Sequence, residues 1–340
     1  MSSLHQDIDY ALAAYAVHDR AAGLQAEHSL KAMLPGYTGL PSHLRCWQNS
    51  CLTGDGFPLE FAFSASDASL RYTVDVMPEQ FEAGSRLANG VDFLQQRDKR
   101  QVPEHVIKLM QVLQSGPDLE YGAWMGGRHL RDSSQYKLYS EINLSGHKAQ
   151  AHVLSALNFR VPQRSGGSLQ ARMLGYNLDS STLEVYLRGQ NIASYELPLL
   201  LGAAGLSDRA DELQAFIETA YGHCLRVRLP GGFVGVSYAL SLQGEPRGVC
   251  LFFPARQFWG SDARIRKQFI AHNDATSPML KQYIQISRPL KHQQGCLTRH
   301  GMLGISISPG QSPQLNIGLR PWAGLKANYL RYQQGMKNAA

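Results

Sequence analysis

Apolar and polar residues alternate with a period of two in ten short runs, and the runs come in pairs. The predicted strand pairs are 57–64 with 70–76, 121–129 with 135–142, 169–176 with 182–188, 234–242 with 248–253, and 301–308 with 314–320. Four of the connections are rich in turn-forming residues: Ala65-Ser66-Asp67-Ala68, Asn177-Leu178-Asp179-Ser180, Gln243-Gly244-Glu245-Pro246 and Pro309-Gly310-Gln311-Ser312. Elsewhere apolar residues recur every three or four positions, which predicts helices over 8–33, 78–96, 103–113, 192–221 and 263–284, and a shorter one over 148–156. Pro103 suits a first helical turn, where a missing N–H costs nothing.

The strand faces decide the architecture. Phe57, Leu59, Phe61 and Phe63 point one way and Glu60, Ala62 and Ser64 the other; Leu70, Tyr72, Val74 and Val76 oppose Arg71, Thr73 and Asp75. Leu183, Val185 and Leu187 likewise oppose Thr182, Glu184, Tyr186 and Arg188, and Leu315, Ile317 and Leu319 oppose Asn316, Gly318 and Arg320. The apolar strand faces are the obvious partners for the apolar helix stripes. An open ten-stranded sheet would leave its polar face in water and expose two edges; closure removes the edges. The expectation is an α+β protein: a ten-stranded antiparallel barrel of five hairpins, surrounded by helices, with a polar lumen wide enough for a ligand. An open two-layer sheet and helix arrangement is the alternative. One domain spans 1–340, with a helical segment at 1–35 and a tail at 323–340.

Composition narrows the class. The chain has 340 residues, 44% hydrophobic, enough for a large core. Its 33 basic and 27 acidic residues give a net charge of +6. With no run of five or six like charges, nucleic acid is not an expected partner, whereas a small, highly charged anion is. The five cysteines contain no Cys-x-x-Cys pair and match no zinc template, so reduced, mostly buried thiols are expected. The start, Met-Ser-Ser-Leu-His-Gln-Asp, lacks a signal-peptide pattern, and no apolar run approaches the ~20 residues that span a bilayer. A cytoplasmic protein with no membrane partner is expected.

Nucleotide-binding glycine loops, His-Glu-x-x-His and Asp-Asp-x-x-Asp are all absent, and the twelve histidines form no cluster. Gly235-Val236-Ser237-Tyr238-Ala239 resembles a nucleophile elbow, but its strand continues to Leu242 where the motif needs a helix. What remains is a polar set on the strands: Glu60 with Arg71, Lys137 with Tyr139, Tyr186 with Arg188, and Arg172 and Arg320 on others. Arg and Lys neutralise phosphate oxygens, while Tyr adds hydrogen bonds and ring faces that attract a cation. Together they suit a phosphorylated ligand whose other part is greasy or cationic.

Gly56-Phe57-Pro58-Leu59-Glu60-Phe61 with Leu70-Arg71-Tyr72-Thr73, Trp124-Met125-Gly126-Gly127-Arg128-His129, and Tyr136-Lys137-Leu138-Tyr139-Ser140-Glu141 resemble the soluble aromatic prenyltransferases of the dimethylallyl-tryptophan synthase type. The resemblance covers about residues 35–322 and implies the ABBA fold, a ten-stranded barrel of αββα repeats. It also implies transfer of a dimethylallyl group from its diphosphate to an indole or tryptophan-type ring, with no metal and no cofactor besides the prenyl diphosphate co-substrate. Glu60 matches the carboxylate that holds the indole N–H. Arg71, Lys137 and Tyr139 match diphosphate ligands; Tyr186 matches a tyrosine that also shields the allylic cation, and Arg188 follows it in the same Tyr-x-Arg pattern. The chain departs from the pattern at Thr182 and Glu184, where a basic pair is common, at Cys250 and Phe252, where Gln and Tyr often sit, and at Gly318, where a shielding Tyr is common. Arg172 and Arg320 are the candidates to complete the diphosphate grip. Peptide side chains and phenolic or phenazine rings are alternative acceptors, and a non-catalytic isoprenoid-binding barrel is an alternative of another class. A monomer or a homodimer fits equally.

Overall fold

The computed structural model describes residues 5–34, 50–76, 82–97, 99–145, 154–155, 157–293 and 298–324. Its strands are β1 (Leu59–Ser64), β2 (Asp67–Asp75), β3 (Ala123–Leu130), β4 (Ser133–Glu141), β5 (Gln170–Asn177), β6 (Thr182–Gln190), β7 (Phe233–Ser241), β8 (Pro246–Pro254), β9 (His300–Ser308) and β10 (Gln311–Leu319). All ten are antiparallel to their neighbours and form a closed barrel, in which β1 meets β10 with Phe61 opposite Leu319 and Phe63 opposite Ile317. Closure leaves no edge strand.

The alternation sets which face looks out. Phe61, Tyr72, Met125, Leu138, Leu174, Val185, Val236, Leu251, Ile305 and Ile317, one from each strand, are all buried in the hydrophobic core. That core lies between the barrel wall and its helices: α1 (Gln6–Ala16), α2 (Arg20–Met33), α3 (Arg86–Asp92), α4 (Glu104–Gln114), α5 (Leu197–Gly202), α6 (Ala210–Tyr221), α7 (Ala255–Trp259), α8 (Asp262–Ala271) and α9 (Pro278–Ile286). α2 and α3 pack on β3, α4 on β4, α7 on β8 and β9, and α9 on β1 and β2. Each fully buried Leu, Ile or Phe stabilises the wall by about 1.5–3 kcal/mol, which fixes the register, since a one-residue slip would turn the whole set inward. Gly127 shows how tight the wall is: a Cβ there would lie 2.4 Å from the Tyr72 ring.

The barrel agrees with the expected fold; several helix boundaries differ. The helix expected over 8–33 is two, because Asp19 starts α2 by accepting a hydrogen bond from the Ala22 N–H at 3.1 Å. The stretch 192–221 breaks into α5 and α6 around Gly205, whose φ of 69° a side-chain-bearing residue rarely adopts. The stretch 263–284 breaks because Pro278 starts α9 and cannot donate to a continuing helix. Of the expected helix over 78–96, residues 78–81 lie outside the described residues; the rest holds α3 and the wider turns of Phe93–Arg97. The expected 148–156 helix falls almost wholly outside them. The thiol expectation needs correction: Cys51 and Cys224 are exposed and Cys250 is half-buried, while Cys46 and Cys296 lie outside the described residues. Among the described residues, no helix is long and apolar enough to cross a membrane.

Candidate active site

The face opposite the core lines the lumen, and its side chains reach across one another's strands. A Cβ added at Gly175 of β5 would lie 2.6 Å from the Lys137 side chain of β4, and one at Gly126 of β3 would lie 3.1 Å from the Tyr139 ring. Lys137 is the centre of this wall. Its ammonium bonds the Glu184 carboxylate of β6 and donates to the Tyr186 hydroxyl at 2.9 Å. It also sits 5.0 Å from the Tyr139 ring centroid and 5.3 Å from that of Tyr186. Those two rings lie 6.0 Å apart, and Phe252 of β8 stands 6.0 Å beyond Tyr186. Ser237 of β7 donates to the other Glu184 oxygen. Ser237 therefore lies mid-strand as a hydrogen-bond donor, with no nucleophile-elbow turn around it.

Burial works against the Lys137 ammonium, but the Glu184 carboxylate, Tyr139 and the hydrogen bond outweigh it and hold the pKa above its ordinary value. Burial likewise opposes the Glu184 charge, and Lys137 with the Ser237 and Tyr186 hydrogen bonds keeps its pKa below the usual range. Burial, together with the Glu184 charge, pushes the Tyr186 hydroxyl well up and keeps the Cys250 thiol protonated.

Arg71 pairs in register with Arg128 across β2 and β3. Asp67 serves both: its carboxylate lies 2.9 Å from Arg128 Nε and 3.8 Å from Arg71 Nη1. Arg128 also donates to Ser69 at 3.0 Å and to Gln135 at 3.1 Å. The chamber's basic groups, Arg71, Arg128 and Lys137, thus face two carboxylates, Asp67 and Glu184.

Glu60 is different. It makes no hydrogen bond or ion pair with any described residue, and burial alone pushes its pKa up to about 8. Two glycines make its space: a Cβ at Gly318 would lie 2.4 Å from the Glu60 carboxyl carbon, and one at Gly301 only 1.9 Å from its oxygen. Any side chain at either position would displace the carboxyl. Trp124, on the lumen face of β3, stacks on Tyr121 at 3.9 Å, and its buried Nε1–H has no partner among the described residues.

Glu60, Arg71, Lys137, Tyr139 and Tyr186 thus share the inner wall. The other three expected residues stand apart from the Lys137 group. Arg188 is exposed, its guanidinium 3.9 Å over the Phe233 ring. Arg172 pairs with Glu120 at 3.1 Å. Arg320 is held by Asp7 of α1 at 2.6 Å and by Asp55 at 3.1 Å, and lies 4.1 Å over the Phe57 ring. Arg320 is therefore committed to tying α1 to the end of β10, because its partners stand at the barrel's end. Sequence reasoning missed Arg128 and Ser237 as chamber residues, though the same alternation that selected Arg71 and Lys137 points both inward.

No protein-family model matches the chain, and no curated protein matches it in sequence. Solved structures do. The apo form of the prenyltransferase PriB is 16% identical, with 95% of this chain covering 100% of that one at a TM-score of 0.74. The 5-dimethylallyl tryptophan synthase from Streptomyces coelicolor, in complex with DMASPP and Trp, is 17% identical, covering 94% of this chain and 95% of that one at a TM-score of 0.74. The 6-dimethylallyltryptophan synthase from Micromonospora olivasterospora, also with DMASPP and Trp, is 16% identical, covering 92% and 96% at a TM-score of 0.76. With its closed ten-stranded barrel and surrounding helices, this chain has the ABBA fold of the aromatic prenyltransferases.

Proposed function

We propose that the protein transfers a prenyl group, dimethylallyl in the first instance, from its diphosphate to an indole or tryptophan-type ring, with no metal ion in the reaction. The observation that carries this reading is the joint placement, on one inner wall, of an ammonium between two tyrosine rings and a carboxyl with no partner among the described residues. Lys137 and Arg71, with the Tyr139 and Tyr186 hydroxyls, stabilise the negative charge that grows on the departing diphosphate. The C–O bond breaks as the allylic cation forms, and the faces of Tyr139, Tyr186 and Phe252 shield that cation from water. The ring carbon attacks, Glu60 as carboxylate accepts the indole N–H and draws charge from the arenium intermediate, and a base removes the ring proton. Arg188, Arg172 and Arg320 have no part in this scheme.

The test is to incubate the protein with dimethylallyl diphosphate and tryptophan and look by mass spectrometry for one added C5H8 unit on the acceptor. Phenolic and peptide acceptors in the same panel identify a different acceptor class. No product with any acceptor, together with tight diphosphate binding, would replace the enzyme by a non-catalytic isoprenoid-binding barrel.

A further inference from the structure

Among the described residues, Lys137 is the buried ammonium of the chamber wall, and it is already neutralised. Lys137 directs one N–H to Glu184 and another to Tyr186, inside the cage of Tyr139 and Tyr186. The groups facing the Glu184 carboxylate are Lys137 from β4, Tyr186 from its own strand, Ser237 from β7 and Cys250 from β8, with Tyr139 of β4 and Arg71 of β2 acting on Lys137. Of these, only Lys137 carries a positive charge against Glu184. A diphosphate that takes Lys137 as its partner brings further negative charge beside Glu184 and removes the contact that keeps it ionised. Two carboxylate-like charges within a few ångströms in a site of low dielectric repel by several kcal/mol, so one of them takes up a proton.

From this cluster we propose that Glu184 is a proton-linked counter-ion of the donor site: the free chamber stores Lys137 paired with the Glu184 carboxylate, and a diphosphate binds with uptake of one proton from water onto Glu184. The protonated carboxyl then donates a hydrogen bond to the diphosphate or to Tyr186, while the Ser237 hydroxyl continues to donate to its other oxygen. Donor affinity accordingly falls as pH rises, by up to tenfold for each pH unit between the free and bound pKa values of Glu184. Glu184 is thereby a specificity residue: it weakens every polyanion that cannot supply the energy of its protonation. The inference rests on reading the chamber as a diphosphate-donor site.

The test is isothermal titration calorimetry of the full chain with dimethylallyl S-thiolodiphosphate at pH 7, in two buffers of different ionisation heat. At that pH Glu60, with a pKa of about 8, is already largely protonated and contributes little. The wild type is expected to take up about one more proton per ligand than Glu184→Gln, and the variant to bind at least tenfold tighter. Equal proton counts and equal affinities in the two proteins would overturn the role of Glu184 while leaving the donor site intact. Binding by neither protein, with both melting as folded, would overturn the donor-site reading itself.

Discussion

Replacing Glu60 by Gln keeps the side chain's size between Gly301 and Gly318 and removes only its charge and its titration. In the wild type, burial holds the pKa at about 8, so only about one-tenth of the molecules carry the carboxylate at pH 7. If the carboxylate is the working form, kcat/KM with tryptophan rises about tenfold per pH unit up to about pH 8 and then levels, because kcat/KM reports the free enzyme. Glu60→Gln should lower kcat/KM by about 10² at the plateau and remove the inflection. Stability moves the other way. An unfolded Glu loses its proton near the ordinary value of 4.5, whereas the folded one keeps it to about 8, so wild-type stability falls as pH rises through that window. The full difference corresponds to about 5 kcal/mol at 1.36 kcal/mol per tenfold, reduced to about 1–3 kcal/mol because the half-buried Glu60 reaches chamber water. The Gln variant should therefore melt several degrees higher than the wild type at pH 9 and at the same temperature at pH 5. Stopped product assays from pH 6 to 9 and thermal melts at both ends measure the two effects. Superimposable pH–rate profiles, or melts that coincide at pH 9, would refute the role assigned to this carboxyl.

Gly318→Ala places a Cβ 2.4 Å from the Glu60 carboxyl carbon and should cut turnover at least tenfold through displacement of Glu60, with circular dichroism unchanged. Arg320→Ala leaves Asp7, which is 3% exposed, without its cationic partner and should destabilise the fold by about 3 kcal/mol, read by urea titration. The same variant, assayed below its melting point, should keep the donor KM within about twofold, since the Arg320 guanidinium is held by Asp7 and Asp55, apart from the Lys137 group. Activity should persist in excess chelator, measured as the initial rate with and without it; strict dependence on added magnesium would contradict the metal-free scheme.

Much of the barrel was readable from alternation, because a closed wall imposes one simple rule: apolar outward, polar inward. The run of Phe57, Leu59, Phe61 and Phe63 beside Glu60 obeys it, and so does Lys137 beside Leu138. The rule says which face a residue takes, and that was enough to place Glu60, Arg71, Lys137, Tyr139 and Tyr186 on one lining. It says nothing of partners. Charge and strand position single out Arg172 and Arg320, but the carboxylates that hold them, Glu120 and Asp7, lie 52 and 313 residues away. Alternation puts Glu184 on the polar face, and the resemblance marks it as a departure from a basic pair; its bond to Lys137, 47 residues back, follows from β4 and β6 flanking β5. The helix breaks at Asp19, Gly205 and Pro278 carry ordinary local signals that a long apolar periodicity outweighed.

A structure of the protein bound to dimethylallyl S-thiolodiphosphate and tryptophan tests the central claim most directly. The account predicts the diphosphate within hydrogen-bond distance of Lys137 and the tyrosine hydroxyls, the prenyl chain between the rings, and the indole N–H on Glu60. Ligands bound outside the barrel, or a diphosphate seated on Arg188, Arg172 or Arg320 with Lys137 still paired to Glu184, would contradict it.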